Sequence, residues 1–142
     1  MVIGNKVMLP EIEVGANAAA GSEAGTITVS TGETWLLKSV SVISVQGATQ
    51  TPTVSLVITI GGTAVFKSQG STTAQAVNTT TFYSWAPGLV LSGQVGATTA
   101  VRSQGALPEG LVLPAGSTIT TDTVGIGANT DYGVMSALVE HI

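Results

Sequence analysis

At 142 residues the chain has the length of one domain, and it carries only four basic and eight acidic residues and no cysteine. Those counts exclude a disulfide framework, thiolate chemistry and the clustered lysine and arginine that gripping nucleic acid requires. A mean hydropathy of +0.47 comes without an apolar run as long as the ~18 residues a membrane-spanning helix needs, so no membrane span is expected.

The scarcity of charge is itself informative. Charged residues make up 8 % of the chain, against about 25 % in an ordinary soluble domain. Serine, threonine and glycine take their place. Such a surface loses little solvation when another protein covers it, so the composition points to a chain packed in an assembly.

In chain order, residues 1–24 differ from the rest. "MVIGNKVMLPEIEVG" has no long apolar core, so no export signal is expected, and "EIEVGANAAAGSEAG" follows with no sustained period. This segment reads as an N-terminal arm. Val7, Leu9, Ile12 and Val14 are too apolar for a solvated tail, and they are the candidate interface residues, lying on a neighbouring subunit. The alternative is that the arm supplies an edge strand of the body itself.

Residues 25–142 read as a β-sandwich domain. "GTITVS" places Ile27 and Val29 inward. "TWLLKSVSVISVQ" carries Leu36, Val40 and Val42 in one phase and Ile43 and Val45 in the other, which predicts a bulge near Val42-Ile43 or a strand that switches sheets. In "TVSLVITIGGTAVF", Val54, Leu56, Ile58 and Ile60 line one face of a strand, and Thr53, Ser55, Val57 and Thr59 line the other. A two-residue Gly61-Gly62 loop would set Ile58 against Val65 and leave Phe66 on the Val57 face. A three-residue loop sets Ile58 against Phe66 and Ile60 against Ala64, keeping the large apolar groups on one face, and it is the expected turn.

Further on, "AVNTTTFYSWAPG" aligns Val77, Thr79, Thr81, Tyr83 and Trp85 on one side. Residues 88–110 look rich in loops. "LVLPAGSTITTDTVGIG" turns at Pro114-Ala115-Gly116, and the last strand, "DYGVMSALVEHI", sets Met135, Ala137 and Val139 against Val134, Ser136 and Leu138. The sum is an all-β fold, an antiparallel, jelly-roll-like sandwich of eight to nine strands with an extended N-terminal arm.

Material for catalysis is thin. His141 is the lone histidine and stands beside the last residue, and no serine lies in a "GxSxG" turn. Glu11 and Glu13 point the same way on an extended chain, but a carboxylate pair in an arm lacks the rigid cleft a glycosidase needs. Asp122, Asn129 and Asp131 flank a glycine-rich segment without the spacing of a calcium loop. The "NTT" at 78–80 fits a glycosylation acceptor but reads as strand sequence in the absence of an export signal. Trp35, Tyr83, Trp85 and Tyr132 would suit either a sugar-stacking face or a core, with the core preferred. No catalytic residue, metal or cofactor is therefore expected, and the chain is not expected to be an enzyme.

With "TWLLKSVSV", "FYSWAPG", "LVLPAGSTITTDT" and "DYGVMSALVEHI" in place, residues 33–142 resemble a group of small all-β virion proteins of tailed bacteriophages. The chain departs from that pattern at Glu140-His141, where the group ends in an acidic pair. The resemblance implies a capsid decoration or cement protein on the outer surface of the phage head, assembled in the host cytoplasm. It implies the major capsid protein as partner, and further copies of the chain in a homotrimer. A collar, tail or fibre component is the nearest alternative, and a carbohydrate-binding module is the alternative of a different class.

Overall fold

The computed structural model describes residues 10–47, 52–69, 79–90, 92–97 and 100–142. The described residues form twelve strands: β1 (Pro10–Val14), β2 (Ile27–Thr28), β3 (Thr34–Gln46), β4 (Thr53–Ile60), β5 (Thr63–Gln69), β6 (Thr80–Ala86), β7 (Ser92–Ala97), β8 (Ala100–Ala106), β9 (Val112–Pro114), β10 (Thr118–Val124), β11 (Thr130–Tyr132) and β12 (Ser136–His141). They form two sheets. The larger has the order β1-β12-β3-β6-β8-β7, with β9 and β11 also paired to β3, and the smaller has the order β2-β10-β4-β5. Neighbours are mostly distant in sequence, so the chain crosses repeatedly between sheets, as the expected sandwich requires and a meander does not.

A single apolar core lies between the sheets. β3 contributes Trp35, Leu37, Val40 and Val42, β6 contributes Tyr83 and Trp85, and β12 contributes Ala137 and Val139; from the smaller sheet come Ile27, Val54, Leu56, Ile58 and Ile119. The Tyr83 and Trp85 rings stack with centroids 6.0 Å apart. Each fully buried residue of this size contributes about 1.5–3 kcal/mol by leaving water. Most polar groups that enter the core are partnered, Thr81 Oγ1 and Trp85 Nε1 being the exceptions among the described residues. Gln46 donates through Nε2 to Ser44 Oγ at 3.0 Å and accepts through Oε1 from Thr130 Oγ1 at 3.1 Å. Tyr132 and Thr123, on opposite sheets, share a hydroxyl hydrogen bond of 2.7 Å.

The sequence expectations hold for most faces and fail where the register slips. The 53–66 hairpin has Ile58 opposite Phe66, as expected, but Ile60 pairs with Thr63 and Thr59 with Ala64. The loop is therefore the two residues Gly61 and Gly62, both with positive φ (59° and 80°), not three. A bulge between Ile58 and Thr59 in the ladder restores the Ile58–Phe66 pair. Turn geometry and core packing are each satisfied, and the bulge reconciles them.

The bulge expected near Val42-Ile43 lies instead at Lys38, where Leu138 pairs with Ser39 and Val139 with Leu37. Trp35 and Leu37 point inward before it; Val40, Val42, Ser44 and Gln46 do so after it. Leu36 is thus only half-buried, and Ile43 and Val45 point out.

Strand number exceeds the expected eight to nine because segments of two or three residues also pair. The stretch read as loops holds the β7–β8 hairpin, and β8 joins β6 in parallel, the one parallel pair among the described residues. "AVRSQGA" has no alternation of large apolar residues to mark it as a strand.

Candidate functional site

Residues 10–14 of the segment read as an arm form β1, paired antiparallel to β12 from Pro10↔Glu140 to Val14↔Ser136. This is the edge-strand alternative. The following linker is also tied to the body. Glu23 accepts hydrogen bonds from Thr121 Oγ1 (2.6 Å), Thr123 N (2.6 Å) and Thr123 Oγ1 (2.8 Å). Gly25 passes so close to Ala16 that a β-carbon on it would lie 1.8 Å from the Ala16 carbonyl oxygen. Of the candidate interface residues, Val7 and Leu9 lie outside the described residues. Ile12 and Val14 are 70 % and 61 % exposed.

Cross-strand partners share a face, so the register defines what surrounds them. Ile12 lies beside Leu138, and Val14 beside Ser136. Ser136 continues to Ser41, then Ser84 and Gln104. The next row is Ile43, Phe82 and Arg102, and beyond it stand Val45 and Thr80. This is the outer face of the larger sheet. Ile43, Val45, Phe82 and Val134 are all exposed on a folded monomer. A shallow depression runs between Ile43, Phe82 and Val134, floored by Ser41, Ser84 and Ser136. It continues past Phe82 and Ser84 toward Arg102 and Gln104. The Ser41 and Ser136 hydroxyls bond to each other at 2.9 Å, so they do not demand water when covered.

Most of the charge near this surface is drawn into ion pairs. Lys38 pairs with Glu140 at 3.3 Å, Lys67 pairs with Asp122 on the smaller sheet, and Glu11, Glu13 and Glu33 gather around His141. Arg102 stands in the Ile43–Phe82 row itself, and Asp131 stands beside Val45 in the next. The reverse of β4, lined by Thr53, Ser55, Val57 and Thr59, carries the Lys67–Asp122 pair on its neighbours β5 and β10. The more apolar surface belongs to the other sheet. Its signal was present in the outward phase of Ile43 and Val45, and in Phe82 alternating with Tyr83.

The remaining candidates separate cleanly. Trp35, Tyr83, Trp85 and Tyr132 are all buried in the core, so none offers a ring to a sugar. Burial also pushes the Tyr132 phenol well above its ordinary value, against the smaller effect of its bond to Thr123, so it stays neutral. Asp122 and Asp131 are placed on different sheets, and no cluster of possible ligands forms there among the described residues. Glu11, Glu13 and His141, by contrast, converge. No protein-family model matches the chain, and no curated protein matches it in sequence.

Proposed function

We propose that the chain is a non-enzymatic structural protein of a bacteriophage particle, a decoration or cement protein that binds the outer capsid lattice and stabilises the head. The observation that carries this reading is the outer face of the larger sheet, where Ile43, Val45, Phe82 and Val134 stand exposed among hydroxyls. Completing the burial of such half-exposed side chains regains on the order of 1 kcal/mol each, with Arg102 the charged side chain in the Ile43–Phe82 row. The low charge content and the resemblance of residues 33–142 to small phage virion proteins support the same reading. The partner is the major capsid protein, with further copies of the chain, as a homotrimer, completing the contact.

The experiment is a binding titration of the purified protein on undecorated heads of the phage that encodes it, followed by reconstruction of the decorated particle. Saturable density on the head lattice is the expected result. Density confined to the collar or tail would favour another structural position in the particle, and binding on a glycan array with none on heads would favour a carbohydrate-binding module.

A further inference from the structure

We infer that Glu11, Glu13 and His141 form a binding site for a divalent cation of zinc-like chemistry, which clamps the edge strand β1 to the sheet. The inference stands on its own geometry and does not depend on the capsid reading.

The register builds the site. Glu11 is opposite Val139 and Glu13 opposite Ala137, so both carboxylates point to the inward side of the sheet, where its edge opens to solvent. His141 lies two residues beyond Val139 on the same side, paired with Trp35. Its Nε2 stands 3.4 Å from Glu11 Oε2 and 3.3 Å from Glu13 Oε1, and the three donor atoms lie within 4.8 Å of one another. In a tetrahedral zinc site, bonds of about 2.0–2.2 Å set neighbouring ligand atoms roughly 3.4 Å apart. The imidazole and each carboxylate already keep that separation. A small closure of the two carboxylates toward each other completes three ligands, and water supplies the fourth.

The far side of the ring is arranged for the same purpose. Glu33 Oε2 faces His141 Nδ1 at 3.9 Å and is itself oriented by a 2.8 Å hydrogen bond from Trp35 Nε1. A carboxylate on that side can hold the Nδ1 proton once a metal takes the Nε2 lone pair, the outer partner that metal-bound imidazoles usually have. The Trp35 ring, with its centroid 5.7 Å from that of His141, packs beside the imidazole. Charge argues likewise. Three of the chain's eight acidic residues meet at this point, facing one imidazole and, among the described residues, no lysine or arginine ion pair. A dication offsets that excess where a neutral histidine does not. Imidazole in the donor set selects zinc over magnesium and calcium, which prefer oxygen alone.

The consequence is local stiffening. β1 alternates, so the residues between and beside the two ligands, Ile12 and Val14, are the exposed apolar ones. A cation on the inward side fixes the strand that presents them outward.

The test is zinc titration of the metal-stripped, full-length protein without a histidine tag, by calorimetry and by thermal melting. One Zn2+ per chain and a raised melting temperature are expected. His141→Gln and Glu13→Gln should weaken binding at least tenfold, Glu33→Gln by about tenfold through lost orientation, and Asp131→Asn, exposed opposite Val45 at the other end of β3, not at all. Should His141→Gln fail to fold, Glu11→Gln, at the exposed rim, decides by the same criterion. Absence of saturable binding by the native chain would overturn the site, as would native affinity in the ligand variants or equal affinity for calcium.

Discussion

Strand β4 and the outer face of the larger sheet use the same side chains at opposite addresses. In β4, Val54, Leu56 and Ile58 are fully buried against the other sheet, with half-buried Val57 and Thr59 on the reverse. On β3 and β6, Ile43 and Phe82 form a cross-strand pair that faces away from the core, while Ser44, Gln46 and Thr81 are the residues turned inward. Hydrophobic patterning alone does not reveal which apolar face is core. At the Gln46 end of β3 the polar side is satisfied, since Gln46 bonds to both Ser44 and Thr130, so polar residues occupy inward positions there and apolar ones are released outward; Thr81 Oγ1 stays unpartnered.

The comparison breaks most visibly at Ile58. Ile58→Ala is a large-to-small core change and should cost ~2–5 kcal/mol in denaturant melts, whereas Thr59→Ala on the other face should cost less than ~1 kcal/mol. Similar losses at the two positions would show that β4 does not divide into a core face and an outer face.

A smaller effect is expected where the sheets are joined by polar atoms. Tyr132→Phe removes the hydroxyl bonded to Thr123 and should cost about 0.5–1.5 kcal/mol, since Thr123 keeps its bond to Glu23. The same residue predicts an alkaline limb. Burial holds the folded phenol above its ordinary value, so the unfolded chain loses this proton first, from about pH 10 upward. Fewer protons on the unfolded state mean that stability falls as pH rises through that range. Melts across it should fall less steeply for Tyr132→Phe than for the native chain.

The outer face should respond least in stability. Ile43→Ser and Phe82→Ser should each shift unfolding by about 0.5 kcal/mol or less, measured in the isolated protein. A core-sized loss at either would mean that the face packs within the monomer.

How far the sequence reached follows from the range of each interaction. Period-two patterning settles faces within a strand, so the inward sets of β4, β6 and β12 were legible, as was the Ile58–Phe66 pair. Bulges were not, because one extra residue at Lys38 reverses the phase of everything after it. β8 escaped notice because its neighbours, not its own residues, make it a strand. The Glu13–His141 contact joins positions 128 residues apart, and only the β1–β12 register brings them together. Ile12 and Val14 were marked as interface candidates for their apolarity; their place on an edge strand, beside Leu138 and Ser136, needed the same register.

The central claim, that the outer face of the larger sheet is a binding surface, is tested most directly by the affinity of two charge insertions for undecorated heads. Phe82→Asp places a carboxylate in the middle of the Ile43–Val134 depression. Val65→Asp places one at an exposed position on the smaller sheet. With folding checked by circular dichroism, Phe82→Asp is predicted to weaken head binding by at least about tenfold, equivalent to ~1.4 kcal/mol, while Val65→Asp binds as the native chain does. Native affinity in Phe82→Asp would contradict the account.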